Sequence, residues 1–399
     1  MSTAAPSAPL APFDYALRTR LVFGAGSLAQ LGELARQTRP DAERILLVTD
    51  HGLVAAGHVE NAREILAAAG WNVTVYSDVH ANPTTEDVAR CLAVARAAEV
   101  QIFVGLGGGS SLDTAKGTNF LLTNGGEMRD YWGVGKATRP MLPLIAVPTT
   151  AGTGSECQSA ALIADAGTHQ KMACLDSKAT PAVALLDPEL TLSLPGSITA
   201  GTGVDALAHA LETAVTRKLS PISEVYSRDA FARCFPALPT VLANPKDLTA
   251  RGQMLLGAAH AGIAIENSML GAVHAAANPL TAHFGTVHGV AVGLMLPHVI
   301  RFNAVDPTAR ARYAALAVAA GVAGPHLTDT LAVQALLDRL NQTLNGAGIP
   351  RSLEAAGVPA DQVDRLAIEA AQQWTANFNP RTAGVEEFRT LYRAALKPR

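Results

Sequence analysis

The chain has 399 residues, of which 49% are apolar and only 16% charged, with a formal net charge of -3. So low a charged fraction, against about 25% in an average globular protein, excludes a solvated disordered chain. The near balance of charge excludes nucleic acid or an anionic membrane as the main partner. No apolar run reaches the ~18 residues a membrane span needs; residues 289–300 come nearest and contain Pro297 and His298. Cys91, Cys157, Cys174 and Cys234 are scattered, with no C-x-x-C pair and no disulfide framework. The first dozen residues lack the basic segment and apolar core of a secretory signal, so residues 1–12 read as a short disordered tail. A soluble protein of the reducing cytoplasm is expected.

In chain order, the runs 45–49 (ILLVT), 72–76, 101–105 (QIFVG), 141–147 (MLPLIAV) and 181–187 (PAVALLD) predict strands. Helical patterns at 59–69 and 84–97 separate the first of them. Strands alternating with helices imply βαβ units and a mostly parallel sheet covered on both faces. From Thr199 onward the chain turns alanine- and leucine-rich with a helical period, broken by turns such as NPKD at 244–247 and NGAG at 345–348. Amphipathic helices are predicted over 360–376 and 386–395. The expected organisation is an α/β domain over 13–195 and an all-helical domain over 196–399.

Three constellations can carry chemistry. The run GLGGGSSLDTAK at 105–116 follows a strand and opens a helix. Glycines there let backbone N–H groups approach a phosphate, and the helix start adds the positive end of its dipole. The spacing is not the G-x-G-x-x-G of a Rossmann turn, so the run is either a pyrophosphate cradle of another type or a plain glycine-rich turn. Asp50 closes the strand ILLVTD, where its carboxylate either meets a ribose diol or simply caps the next helix. The second run, PTTAGTGSE at 148–156, puts hydroxyls and bare backbone at a strand's carboxyl end, suited to a flat polar ring or to a capped turn.

The third constellation is the richest in ligands. Asp205 and His209 stand four apart in GTGVDALAHALE and share one helix face, with Glu212 three residues further on. Five of the eleven histidines (His260, His274, His283, His288 and His298) fall between 260 and 298, in strongly apolar surroundings. Buried imidazoles need partners, and a metal ion satisfies several at once. Asp205, His209, His274 and His288 make an O/N3 set, while His260 and His298 read as satisfied core histidines. Cys157 and Cys174 lack a neighbouring base, and no G-x-S-x-G elbow supports a serine hydrolase.

Taken in order, VFGAGSL, LLVTDHGL, GLGGGSSLDTAK, PTTAGTGSE, LLDPELTLSLP, TGVDALAHALE, HAAANPL, His288-Gly289 and LPHVIRFN resemble the iron-containing (group III) alcohol dehydrogenase family. The resemblance implies an N-terminal dinucleotide-binding α/β domain facing an all-α domain, the fold shared with dehydroquinate synthase. It implies NAD held by Gly107, Gly108, Gly109 and Ser110, with Asp113 and Lys171 also at the cofactor. Thr149, Thr150 and Thr153 would border the nicotinamide, and Asp50 would favour NAD over NADP. It implies Fe2+, or Zn2+, on Asp205, His209, His274 and His288; that intact set argues against the metal-independent relatives that reduce maleylacetate. One departure stands out: where the family often reads H-A-M-A-H-P-L, with a second histidine thought to move the proton, this chain has Asn278. His283, five residues on, is the candidate replacement.

The expected activity is hydride transfer between NAD(H) and a primary alcohol or aldehyde, by a homodimer or larger homo-oligomer. The alternatives are a polyol or hydroxy acid (4-hydroxybutyrate, for example) as substrate, a cyclising lyase like dehydroquinate synthase, and a non-catalytic NAD- or metal-binding protein.

Overall fold

The computed structural model describes residues 12–168 and 170–397; the expected tail over 1–12 lies outside them except for Pro12. The first part of the chain runs β1 (Arg20–Phe23), α1 (Leu31–Thr38), β2 (Arg44–Val48), α2 (His51–Ala55), α3 (His58–Ala68), β3 (Asn72–Tyr76), α4 (Thr85–Ala97), β4 (Ile102–Gly107) and α5 (Gly109–Asn124). It continues through β5 (Gly133–Val134), β6 (Leu144–Pro148), β7 (Ala160–Ala164), β8 (Lys171–Leu175) and β9 (Val183–Leu186). Six strands form one parallel sheet in the order β1-β9-β6-β4-β2-β3. Strands β4 and β6 are buried at every position, which is why they read as unbroken apolar runs. Thr84 starts α4 with a capping box to Asp87, so that helix begins where its polar signal stands.

All five expected strands form. The sequence reading did not include β1 or the small second sheet, β5-β8-β7, in which β8 pairs antiparallel with β7 and parallel with β5. Strands β1, β5 and β8 are short and partly exposed, and the apolar run of β7, AALIA, is alanine-rich and alternates buried with half-buried positions.

The chain reverses direction across the sheet between β2 and β4: β3 lies outside β2, whereas β6, β9 and β1 lie beyond β4. A crevice opens at the carboxyl ends of two such strands, the usual ligand position in an open α/β sheet. Asp50 follows β2 there, and the glycine-rich turn follows β4.

The second part is helical: α6 (Gly196–Val215), α7 (Pro221–Ala243), α8 (Leu248–Glu266), α9 (Ala272–Phe284), α10 (His288–Asn303), α11 (Pro307–Ala319), α12 (Asp329–Gly346), α13 (Val363–Gln372) and α14 (Val385–Leu396). The helix expected over 360–376 is interrupted: Gln373 is extended, and a separate short turn runs from Trp374 to Phe378. Helix α6 is buried along nearly its whole length from Thr199 to Val215, as a core helix apolar on all sides must be. Its few polar side chains, Asp205, His209 and Glu212 among them, therefore sit inside the protein and need partners there. Among the described residues no helix is long and apolar enough to cross a membrane.

Candidate metal centre and cofactor cleft

Three helices bring the donor set together. Helix α6 supplies Asp205 and His209 one turn apart, α9 supplies His274, and His288 is the first residue of α10. The Nε2 atoms of His274, His209 and His288 stand 3.2, 3.3 and 3.7 Å from a single oxygen, Asp205 Oδ1. Metal–ligand bonds of about 2.1 Å in a tetrahedral site separate neighbouring donors by about 3.4 Å, which the spacings of His274 and His209 from Asp205 match, while His288 stands farther out at the edge of the set. Asp205, His209 and His274 alone already offer ligand atoms all within 4.8 Å of one another.

The opposite edges of the rings are fixed by acceptors. His209 Nδ1 donates to the Gly152 carbonyl at 3.3 Å, which leaves Nε2 as its lone-pair nitrogen. His274 Nδ1 is hydrogen-bonded to Glu212 Oε2, while Glu212 Oε1 accepts the backbone N–H groups of Gly271 at 3.0 Å and Val273 at 2.7 Å. Glu212, which sequence reading noticed only as a neighbour on the same face, thus orients the His274 ring. Its i+7 spacing from Asp205 was the available signal.

Burial holds the imidazoles of His209 and His288 below their ordinary pKa, His288 at about 3, so both are neutral. Burial acts against His274 too, but the Glu212 carboxylate and Asp205 outweigh it and raise that group to about 10. Burial would raise Asp205, but the surrounding histidines hold it well below the usual carboxylate range. The side chains of Asp205, His209 and His274 are 6% exposed and that of His288 33%, so the centre is open on the His288 side. An open position is what separates a catalytic metal site from a closed structural one.

The cleft beside it is built for a polar ligand with phosphates. Helix α5 begins at Gly109 with no side chain capping its first turn; the Ser111 N–H turns back to the Gly108 carbonyl at 3.1 Å, which leaves the N–H groups of Gly109 and Ser110 as the uncapped donors of the helix start. A Cβ at Gly109 would stand 2.9 Å from Thr153 Cγ2, so only bare backbone leaves a channel between the turn and the threonines of the strap 148–156. Two buried hydroxyls at the crevice, Thr49 Oγ1 and Ser111 Oγ, make no hydrogen bond within the protein.

A buried ion network ties the strap to this helix. Lys116 Nζ lies within 2.7–3.0 Å of the carbonyls of Ser155, Gln158 and Ala160 and of Ser155 Oγ, and Ser155 Oγ donates to Asp113 Oδ1 at 2.9 Å. From the helical part, Glu266 accepts the N–H and hydroxyl of Ser159, both at 2.9 Å.

The remaining expected residues distribute as follows. Gly107, Gly108 and Gly109 line the turn, and Ser110 Oγ accepts the Asn82 N–H at 3.3 Å. Thr149 is buried, its N–H donating to the Gly107 carbonyl at 3.1 Å, and Thr150 lies within van der Waals reach of Gly108. Asp50 caps α2, Oδ1 accepting the Leu53 N–H at 3.1 Å, and stands at the crevice. Lys171 opens β8, and the carboxylates of Asp113 and Asp205 both act on its ammonium. Two of the expected residues have partners of their own. Asp113 is buried against Ser155 and Lys116, where it supports the strap. His283 sits nine residues beyond His274, about 13 Å along α9, where its Nε2 pairs with Glu369 at 2.5 Å and its Nδ1 meets Arg365 at 3.0 Å. These partners tie it to α13, away from the Asp205 donor set. Asn278, one turn from His274, donates to Gln373 Oε1 at 3.0 Å.

A parallel sheet with an uncapped helix start at its crevice, facing a buried O/N3 donor set, defines a two-part, dinucleotide-linked metallodehydrogenase. The comparisons agree in detail. The model of iron-containing alcohol dehydrogenases matches residues 18–188, and that of the C-terminal part of the same family matches 199–396. The NAD-dependent methanol dehydrogenase of Bacillus methanolicus is 32% identical over 375 residues, covering 94% of this chain and 97% of its own. The 1,3-propanediol dehydrogenase of Klebsiella pneumoniae is 31% identical over 96% of this chain and 99% of its own. Among solved structures, a 1,3-propanediol oxidoreductase superposes with a TM-score of 0.93 at 31% identity, over 97% of this chain and 100% of the other. A sulfoacetaldehyde reductase from Bifidobacterium kashiwanohense, solved with NAD+, gives 0.86 at 27% identity, over 96% and 99% of the two chains. The chain belongs to the iron-containing alcohol dehydrogenase family and is a metal-dependent alcohol oxidoreductase.

Proposed function

We propose that this protein transfers a hydride between NAD(H) and a primary alcohol or its aldehyde, with Asp205, His209, His274 and His288 holding one divalent ion, Fe2+ or Zn2+. The observation that carries the reading is the convergence of three Nε2 atoms on one oxygen of Asp205. A divalent ion bound there supplies Lewis acidity, which makes the alcohol hydroxyl more acidic and polarises the aldehyde, an effect worth several kcal/mol.

The chain's own residues do the rest. Glu212 and the Gly152 carbonyl keep His274 and His209 turned so that Nε2 faces inward. The N–H groups of Gly107–Gly109 and the start of α5 hold the pyrophosphate, with Ser110 beside them. Thr149, Thr150 and Thr153 flank the nicotinamide, and Lys171 borders the same space. The Asp50 carboxylate accepts from the ribose diol and repels a 2′-phosphate, favouring NAD. Residues 13–195 form the cofactor domain and 196–399 the metal and substrate domain, and closing one against the other excludes water from the reacting groups.

The pair Asn278–Gln373 favours a second reading of the substrate, a short diol or hydroxyaldehyde. Their hydrogen bond leaves Asn278 Oδ1 and Gln373 Nε2 without partners, one acceptor and one donor, which matches a further hydroxyl. The four free, buried cysteines support a reducing cytoplasm, and exposed Phe13, Leu17 and Phe23 around the edge strand β1 support a homo-oligomer.

The test is NADH oxidation with plain aldehydes and hydroxyaldehydes, after anaerobic Fe2+ loading and again after chelation. Turnover is expected only in the loaded protein. Asp205→Ala is expected to lose both bound iron and at least 1000-fold in kcat while unfolding cooperatively; a chelated protein or an Asp205→Ala protein that keeps full activity overturns the reading.

A further inference from the structure

The seam between the two parts of the chain contains a buried cation that makes no ion pair among the described residues. Arg251, on α8, is 3% exposed. Its Nε donates to the Pro245 carbonyl at 2.8 Å and its Nη1 to Thr199 Oγ1 at 3.4 Å. A guanidinium carries five N–H donors, so Nη2 and one hydrogen of Nη1 have no partner among the described residues. Burial is the influence on its pKa, and among the described residues no carboxylate acts on it. Negative features on the flanking backbone are the carboxyl end of α7, which precedes Pro245 and is worth about half a charge, and the Asp247 carboxylate one turn earlier at the start of α8, which is committed to the Ala250 N–H at 2.9 Å. An uncompensated buried charge costs several kcal/mol, and three unpaired donors add to that.

The guanidinium borders a small cavity of about 10 Å3 that also touches Thr191 and Leu194 from the end of the first part, Ala151 from the strap, and Thr199 and Thr202 from α6. That volume holds a single water-sized particle. Two of the three hydroxyls are already committed: Thr191 Oγ1 donates to the Pro188 carbonyl at 2.7 Å and Thr202 Oγ1 to the Ile198 carbonyl at 2.8 Å. Thr199 Oγ1 accepts from Arg251 and keeps its own proton free to donate.

We propose that this cavity is a binding site for one monatomic anion, chloride or bromide, held by Arg251 Nη2 and the Thr199 hydroxyl. The charge of the site selects an anion over water, and room for one water-sized particle favours a monatomic ion over phosphate or sulfate. Seated there, the ion neutralises Arg251 and bridges the strap, α6 and α8.

The metal-loaded full chain is unfolded thermally in sodium gluconate, whose anion is too large for the cavity, and then with chloride or bromide replacing gluconate at constant ionic strength. A saturable rise in Tm of about 2–4 °C is expected. Thr199→Val keeps the charge and the shape but removes the donor, and is expected to need at least tenfold more halide for the same rise. A crystal soaked in bromide is expected to show one anomalous peak within hydrogen-bond distance of Arg251 Nη2. Equal Tm values in gluconate and halide, a Thr199→Val response identical to the parent's, or a cavity without anomalous signal would each overturn the site.

Discussion

Glu212 shows how a residue outside the donor set controls it. One carboxylate oxygen takes two backbone N–H groups and the other takes His274 Nδ1, so the ring is held by a group that is itself immobilised. Glu212→Gln keeps the shape but replaces the carboxylate by an amide, and outer partners of this kind typically matter 10–100-fold for metal affinity. Iron content after dialysis against a graded chelator series should fall by that factor, and an unchanged affinity would show that Glu212 only fills space. Glu156 makes a separate prediction. It is 2% exposed, its Oε1 has no hydrogen-bond partner, and burial pushes its pKa up from 4.5 to about 7. The folded chain therefore keeps a proton that the unfolded chain releases, and stability falls as pH rises between about 4.5 and 7. Glu156→Gln should flatten that slope and unfold at a higher temperature than the parent at pH 8; equal Tm values at pH 5 and pH 8 in the parent would contradict it.

At the scale of elements, Lys116 holds α5 to the strap through an ammonium facing three backbone carbonyls and one hydroxyl. Lys116→Met leaves those carbonyls unpaired in a dry interior and should cost about 3–5 kcal/mol of stability. Because the strap carries Thr150 and Thr153, the same variant should raise the KM for NADH at least tenfold while iron content is retained. A KM unchanged in the folded fraction would separate the network from cofactor binding. Sequence made some of this legible and not the rest. Strands β4 and β6 were plain because both their faces are buried, and Asp205 and His209 because i, i+4 spacing is a local property of one helix. The Lys116 network was not, since its acceptors lie 39–44 residues away and are mostly backbone. The surroundings of His283 were hidden for the same reason: its partner Glu369 lies 86 residues on, and the docking of α13 on α9 brings the two together.

For the whole molecule, reaction geometry depends on where the cofactor part sits against the metal part, and this chain sets that distance with backbone contacts. The strap and α8 meet at Gly154 and Gly262, where a Cβ on Gly262 would fall 2.4 Å from the Gly154 carbonyl oxygen. Gly154 also has φ +65°, a left-handed conformation that side chains disfavour. One residue pair up the strap, the Gly152 carbonyl takes His209 Nδ1, so the segment proposed to flank the nicotinamide and a ring of the proposed metal set share one piece of backbone. Gly262→Ala cannot be absorbed by a side-chain rotation, because the clashing atom is main chain; the strap must move away from α8. The four ligands stay on α6, α9 and α10, so iron content should remain near that of the parent. Hydride transfer, which needs donor and acceptor carbons held within a few tenths of an ångström, should slow by about 100-fold. The measurement is kcat with NADH and with its 4-deuterated form: a larger isotope effect at full iron occupancy is expected, and an unchanged kcat would show that the glycine contact does not set the distance between the two parts.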